Sequence, residues 1–259
     1  MRALSLAKFE EGVINEDAAI ARKEVIAVSD GAGGGGVFAD CWSKYLVEHL
    51  PNEPIESYDA LDKWIDGIWE AFYNEYEAKA KAIGGMFLNK FYDEGSFATL
   101  VAVWRNGQWI SYGDSVAFCY DRGNGRLQHS FGRLVEINNP PYLINCKDPL
   151  DENGLKTGQF DIRPDSIVFA ASDALAHYIL MMYEVAHKDE FENELQEAIN
   201  AQTKDSNFIK TCLGQRKIDF DEVIKKLPLC KNAGNYRKHL ESLRKKGLIG
   251  HDDYTIAIM

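Results

Sequence analysis

The sequence predicts an α+β fold in a single domain, and three features of the chain carry that prediction. Short apolar runs bounded by turn residues recur along its length. Two of them, Val25–Ser29 and Ile167–Ala171, are apolar at nearly every position, as strands buried on both faces are. The helical patterns are grouped between blocks of strands and do not alternate with them one for one, which excludes a regular βαβ series. At 259 residues the chain is long enough for one domain with a substantial core.

Taken in order, strands are expected at Ala18–Arg22 and Val25–Ser29, then a helix over Val37–Leu50 that Pro51 closes. A long amphipathic helix follows over Tyr58–Ile83. It has Leu61, Trp64, Ile65, Ile68, Trp69, Phe72 and Tyr76 at helical spacing, and Gly84-Gly85 as its stop. That aromatic stripe reads as core packing. Further strands are expected at Phe97–Trp104, Trp109–Tyr112, Val116–Tyr120 and Ile167–Ala171, with Tyr254–Met259 as the last. Arg122–Arg163 is rich in Gly, Pro and Asn and reads as a functional loop region or small subdomain. Val185–Lys246 reads as a charged helical insertion before the last strand, with Leu240, Leu243 and Leu248 on one side.

The formal charge of −11 argues against nucleic acid or an anionic membrane surface as partner, since both need a basic footprint. The five cysteines (Cys41, Cys119, Cys146, Cys212 and Cys230) are scattered, without the spacing of a zinc site or a disulfide framework. No export signal and no membrane-spanning apolar run is evident, so the expectation is a cytoplasmic protein with reduced thiols, acting as a monomer.

The informative pattern is where the acids fall. Asp30 and Asp173 end the two buried strands, each after an apolar run and a Ser. Asp114 sits in a tight Gly-Asp-Ser between strands, Asp252-Asp253 precede the last strand, and Glu16-Asp17 precede the strand at Ala18. A single Asp at a strand end is ordinary turn chemistry. Several that converge on one edge of a sheet would repel each other strongly unless cations neutralised them. All are oxygen donors with no His or Cys among them, which favours Mg²⁺ or Mn²⁺ over zinc, copper or iron.

Gly31-Ala32-Gly33-Gly34-Gly35-Gly36 satisfies GxGxxG between a strand and a helix, which raises a nucleotide-binding reading. Asp30 would repel a pyrophosphate at that helix end, and the acid expected on a second parallel strand about twenty residues on is missing, because that stretch is the long helix Tyr58–Ile83. The glycines instead permit close backbone approach, leaving the Gly31 carbonyl free to act as a ligand beside Asp30.

These residues carry a resemblance. Asn15-Glu16-Asp17, Ala27-Val28-Ser29-Asp30-Gly31-Ala32-Gly33-Gly34, Gly95-Ser96-Phe97-Ala98-Thr99, Gly113-Asp114-Ser115, Ala171-Ser172-Asp173 and Asp252-Asp253-Tyr254-Thr255 occur in that order. Together they resemble the successive motifs of the metal-dependent protein serine/threonine phosphatases of type 2C, in their bacterial form. The resemblance implies a four-layer αββα sandwich, a central antiparallel β-sandwich flanked by helices, with two cations (Mn²⁺ or Mg²⁺) at one end and a third in some members. By position, Asp30 would bridge two metals, Gly31 would offer its carbonyl, and Asp173 and Asp252 would complete one shell. Glu16 and Asp17 would hold waters on the metals, and Asp114 with Asp173 would serve the third. Asp30, Asp173 and Asp252 are thus the expected catalytic set, and residues 122–163 correspond to the family's mobile flap.

The implied reaction is hydrolysis of phosphoserine or phosphothreonine in a phosphorylated protein substrate by a water activated between two metals, without a phosphoenzyme. The chain departs from the pattern in lacking the phosphate-holding Arg before Asn15, where Lys8 or Arg22 is the expected substitute. It also has Val116 after Gly-Asp-Ser, and Ala174 where the family has glycine. The missing Arg keeps two alternatives open: a weak or inactive binding or regulatory module of the same fold, or a phosphatase of small phosphoesters. His177 is expected to pack or support the site from behind, and His251 either to support the site or to be merely exposed. The run Arg244-Lys245-Lys246 reads as a helix C-terminal cap.

Overall fold

A computed structural model describes residues 1–34, 36–214, 218–229 and 232–259, without the side chains of residues 138, 204, 205, 228 and 229. Gly35 and Cys230 therefore lie outside the described residues. The strands are β1 (Arg2–Leu6), β2 (Ala18–Ala21), β3 (Val25–Ser29), β4 (Phe97–Ala98), β5 (Leu100–Trp104), β6 (Gln108–Tyr112) and β7 (Val116–Asp121). They continue with β8 (Arg126–His129), β9 (Ile144–Asn145), β10 (Leu155–Gln159), β11 (Ser166–Ala171) and β12 (Tyr254–Ile258). The helices are α1 (Ala39–His49), α2 (Tyr58–Asp66), α3 (Trp69–Ile83), α4 (Gly85–Glu94), α5 (Asp173–Ala186), α6 (Glu192–Asn200), α7 (Lys204–Leu213), α8 (Phe220–Leu229) and α9 (Ala233–Lys245).

Two five-stranded sheets form the centre, in the orders β1-β12-β11-β7-β8 and β10-β6-β5-β3-β2, and every pairing within them is antiparallel. Their facing sides meet through Ile26, Val28, Val101 and Val103 from one sheet and Ala117, Cys119, Val168, Ala170 and Ala257 from the other. The alternate residues point outward: Val25, Ala27, Leu100 and Ala102 pack under α1 to α4, and Val116, Phe118, Phe169, Ile256 and Ile258 pack under α5 to α9. The period of two that would leave one sheet face polar is absent because helices cover both outer faces, so both faces must be apolar. The result is the four-layer αββα sandwich.

The aromatic stripe is core, with Leu61, Ile65 and Phe72 buried under the second sheet. It belongs to two helices, though, and not to one: α2 ends at Gly67, whose N–H turns back to the carbonyls of Lys63 and Trp64, and α3 restarts at Trp69. Gly84 does end α3 in left-handed backbone (φ 72°), but the chain enters α4 at once through Gly85 (φ 57°) instead of a loop. The expected strand Phe97–Trp104 breaks at Thr99, where the chain leaves the short β4–β9 pair for the main sheet.

The segment 122–163 contributes β8 and β10, the outermost strands of the two sheets on that side. The segment 185–246 forms most of one outer layer, with Leu195, Phe220, Ile224, Tyr236, Leu240 and Leu243 buried in its core. Among the described residues no helix is long and apolar enough to cross a membrane.

One buried acid sits in that outer layer. Glu184 of α5 has Oε2 in the interior without a hydrogen-bond partner, and its pKa is pushed up to about 7 by burial and then by Glu194, with Arg133 opposing. A carboxyl whose folded pKa exceeds its unfolded one weakens the fold as pH rises through that interval, here from about 4.5 to about 7. Glu184→Gln is therefore expected to raise the melting temperature at pH 8 by roughly 5 °C and to change little near pH 4.5, as thermal melts at the two pH values would show.

Candidate metal centre

Antiparallel pairing determines which strand ends meet. Ser29 at the end of β3 lies opposite Ala18 at the start of β2, and Ala171 at the end of β11 pairs with Ile256 near the start of β12. Asp30, Asp17, Asp173, Asp252 and the Gly113-Asp114 turn between β6 and β7 thereby arrive at one edge of the sandwich. Their charges act on one another. Burial raises Asp30 well above its usual range, and the charges of Asp17, Asp173, Asp114 and Asp252 raise it further. Asp173 is likewise held well above its usual range by burial and then by Asp114, Asp252 and Asp17. Burial pushes Asp114 to about 6, with Asp252 adding to the shift. It takes Asp17 to about 7, where nearby Ser172 and Thr255 hydroxyls oppose the rise and Asp253 and Asp252 add to it. Among the described residues neither buried Asp17 oxygen has a partner at full hydrogen-bond distance, the Ser172 and Thr255 hydroxyls lying farther off.

Short polar links hold the cluster's backbone. Asp30 N–H donates to Thr99 Oγ1 (3.1 Å), Thr99 N–H donates to the Asp30 carbonyl (2.8 Å), and Thr99 Oγ1 shares a hydrogen with Ser115 Oγ (2.8 Å). The Asp30 loop is thus tied to the Asp114 turn. Thr255 N–H donates to Ser172 Oγ, joining the Asp173 and Asp252 segments. The two members of the Asp252-Asp253 pair have different tasks. Buried Asp253 accepts from Lys8 N–H (2.8 Å) and Glu16 N–H (2.7 Å), strapping the loop 7–16 to the sheet edge, while Asp252 faces the other acids. Thr99, Ser115 and Asp253 are positioning residues that pattern reading passed over. They lie within the quoted motifs, so the signal was present, but only the folded contacts distinguish a ligand from a strap.

The glycine run serves approach, as expected. Gly31 N–H donates to the Glu16 carbonyl (3.1 Å), and a Cβ there would meet the backbone oxygens of Glu16 and Ala39 at 2.6 and 2.7 Å. At Gly33 a Cβ would collide with the Glu16 carboxylate. The antiparallel neighbours of β3 exclude the mononucleotide-binding βαβ unit outright. Glu16 is raised by burial, with Lys8 opposing and Asp253, Asp40 and Asp252 adding.

Of the two cations expected to replace the missing Arg, Arg22 is elsewhere. Its guanidinium donates to the carbonyls of Leu50 (2.7 Å), Glu48 (2.5 Å) and Val47 (3.2 Å), closing the C-terminus of α1. Lys8 is at the cluster. His177 packs in the outer layer, 6.3 Å from the Phe208 ring, and His251 lies 3.5 Å from the Glu10 carboxylate at the surface.

The donor chemistry suits a hard divalent cation: half-buried carboxylates gathered with buried Asp17, and no nitrogen or sulfur among them. Among the described residues, however, no three His, Cys, Asp or Glu side chains are disposed to hold an ion in this conformation. The cluster is assembled in kind but not closed as a ligand set.

Fold and edge cluster together define the class, a β-sandwich domain with carboxylates gathered at one end. No protein-family model matches the chain, and no curated protein matches it in sequence. Solved structures do. The catalytic domain of serine/threonine protein phosphatase PstP, in complex with two manganese ions, superposes with a TM-score of 0.51 at 15% identity, over 99% of this chain and 95% of that one. The Mycobacterium tuberculosis serine/threonine phosphatase PstP/Ppp gives 0.50 at 17% identity, over 99% and 96%. The chain has the fold of the type 2C metal-dependent serine/threonine phosphatases over nearly its whole length.

Proposed function

We propose that this protein is a metal-dependent phosphatase that hydrolyses phosphoserine or phosphothreonine in proteins. The observation that carries the reading is the set of mutually repelling carboxylates, Asp30 with Asp17, Asp114, Asp173 and Asp252, at one sandwich edge. Burying like charges together is costly and persists where a counter-charge is part of the working state. PstP, which shares the fold, holds two manganese ions in its solved structure.

In this reading Asp30, the Gly31 carbonyl, Asp173 and Asp252 would hold the cations, Asp114 would contribute to a further, weaker site, and Glu16 and Asp17 would help orient water there. Divalent cations, when bound, supply Lewis acidity that acidifies a water and offsets charge on the phosphoryl oxygens. The chain's own residues do the positioning. Thr99 and Ser115 fix the Asp30 loop, and Asp253 fixes the loop that carries Lys8 and Glu16. Lys8, the cation that offsets the Glu16 charge, holds the substrate's phosphate at the mouth of the cluster.

Turnover of p-nitrophenyl phosphate and of a phosphothreonine peptide, measured with Mn²⁺ and with chelator, tests the reading. Chelator-sensitive hydrolysis of the peptide above the small ester supports it. Cation binding without hydrolysis of either substrate would replace it with a binding module. Lys8→Ala is expected to raise KM for both substrates by about tenfold with kcat changed far less, and Lys8→Arg to restore KM. An unchanged KM in Lys8→Ala would remove Lys8 from the substrate site.

A further inference from the structure

In a chain of net charge −11, one surface runs strongly the other way. α9 carries Arg237, Lys238, Arg244 and Lys245, and Lys246 follows it. All are exposed except Arg244, which is half-buried, and among the described residues none of the five makes an ion pair. The helix dipole accounts for Arg244 and Lys245 in the last turn but not for Arg237 and Lys238 in the first half, and α9 has no acid in its first turn to balance them.

This ridge adjoins the carboxylate cluster. The guanidinium carbons of Arg237 and Arg244, seven positions apart on one helix face, lie 5.2 and 5.3 Å from the centre of the Phe9 ring. Phe9 in turn lies 5.5 Å from the Tyr254 ring, next in the chain to Asp252-Asp253, and is the neighbour of Lys8. A surface depression of ≈ 320 Å³ lined by Phe9, Glu241, Arg244 and Lys245 opens between the ridge and that loop. Stacking on Phe9 holds two of the cations in place, so less side-chain freedom is lost when they are engaged.

We propose that the α9 ridge docks acidic residues flanking the phosphorylated residue of a protein substrate. The proposal rests on the phosphatase reading for the peptide's purpose, but not for whether the peptide binds. Screening makes the local sign decisive. At physiological ionic strength the Debye length is about 8 Å, so a bound acidic side chain senses the ridge and little of the remote acidic surface. On the ridge itself the acid is Glu241, and Glu10 beside Phe9 lies 3.5 Å from His251. The carboxylate cluster beyond Tyr254 is the charge that bound cations would offset.

The test is fluorescence anisotropy with two labelled, unphosphorylated threonine peptides that cannot be hydrolysed. One has Asp and Glu on both sides of the threonine, and the other has Asn and Gln at those positions. The full chain is expected to bind the acidic peptide about tenfold more tightly at low salt, as the sum of several exposed charge pairs, with the advantage shrinking as salt rises. Arg237→Glu/Lys238→Glu/Lys245→Glu, checked by its melting temperature, is expected to erase or invert the preference. Lys23→Glu/Lys63→Glu, which reverses charges far from the ridge, is expected to keep it. Equal affinity for the two peptides in the unaltered chain overturns the proposal. So does a preference that survives in the ridge variant, or one lost equally in both variants. A preference without any phosphatase turnover would leave the ridge standing and remove the phosphatase reading, and turnover without a preference would do the reverse.

Discussion

Asp30→Asn is expected to abolish cation-dependent turnover while making the chelated protein harder to melt. The two effects have one origin. Asp30 is the carboxylate that senses Asp17, Asp173, Asp114 and Asp252 together, and burial raises it before any of them does. Removing its charge relieves all four repulsions at nearly constant shape, so the melting temperature in chelator is expected to rise by several degrees. On the proposed reading the same change would also remove a metal ligand. On that reading, millimolar Mn²⁺ is expected to stabilise the unaltered protein by RT ln(1 + [L]/Kd), about 2.7 kcal/mol when the ion is at a hundred times its dissociation constant. In the variant that increment is expected to vanish, and turnover to fall by about 10³-fold or more. Thermal melts with and without Mn²⁺, beside one activity assay, read all of it. A variant that melts lower in chelator would show that Asp30 is structural and not a charge held for a cation.

The second large effect is expected at Gly31. A methyl group there has nowhere to go, since its neighbours are the backbone oxygens of Glu16 and Ala39, and backbone cannot rotate aside as a side chain can. Overpacking of this kind costs about 1–3 kcal/mol, and relief requires the end of β3 to move away from the loop that carries Glu16. Gly31→Ala is therefore expected to lower the melting temperature by roughly 2–10 °C. It is also expected to cut turnover by about a hundredfold, because ligands displaced by an ångström no longer share an ion. Gly34→Ala is the matched control: no atom lies within 4 Å of a Cβ built there, and it should be near neutral in both assays. Equal losses at the two positions would mean that chain flexibility across the glycine run matters, and not the close approach at Gly31.

The strands flanking the acids were legible because nearly every residue in β3 and β11 is apolar, a pattern only double-sided burial requires. β1, β8 and β10 were not. They lie toward the outside of their sheets, where half-exposed Arg2 and exposed Arg126 and Lys156 dilute the apolar signal. The break between α2 and α3 was invisible for the opposite reason. The apolar stripe continues through Gly67-Ile68 because both helices cover the same sheet, so periodicity alone cannot see the turn.

By itself, the sequence determined which residue types stand at which strand ends. Strand chemistry is local, and an acid after an apolar run keeps its place whatever the rest of the chain does. That was enough to single out Asp30, Asp114, Asp173, Asp252 and the Glu16-Asp17 pair, and to expect an all-oxygen donor set. Only the tertiary structure decided which of these strand ends share an edge, since antiparallel pairing between segments more than 200 residues apart is a long-range outcome. It also divided labour among chemically identical groups. Asp253 became a backbone strap while Asp252 faced the cluster, and Arg22 went to close α1 while the Lys8 charge stayed near Glu16. A carboxylate or a guanidinium has the same chemistry wherever it stands; what it does depends on which partners lie within 3 Å, and packing supplies those.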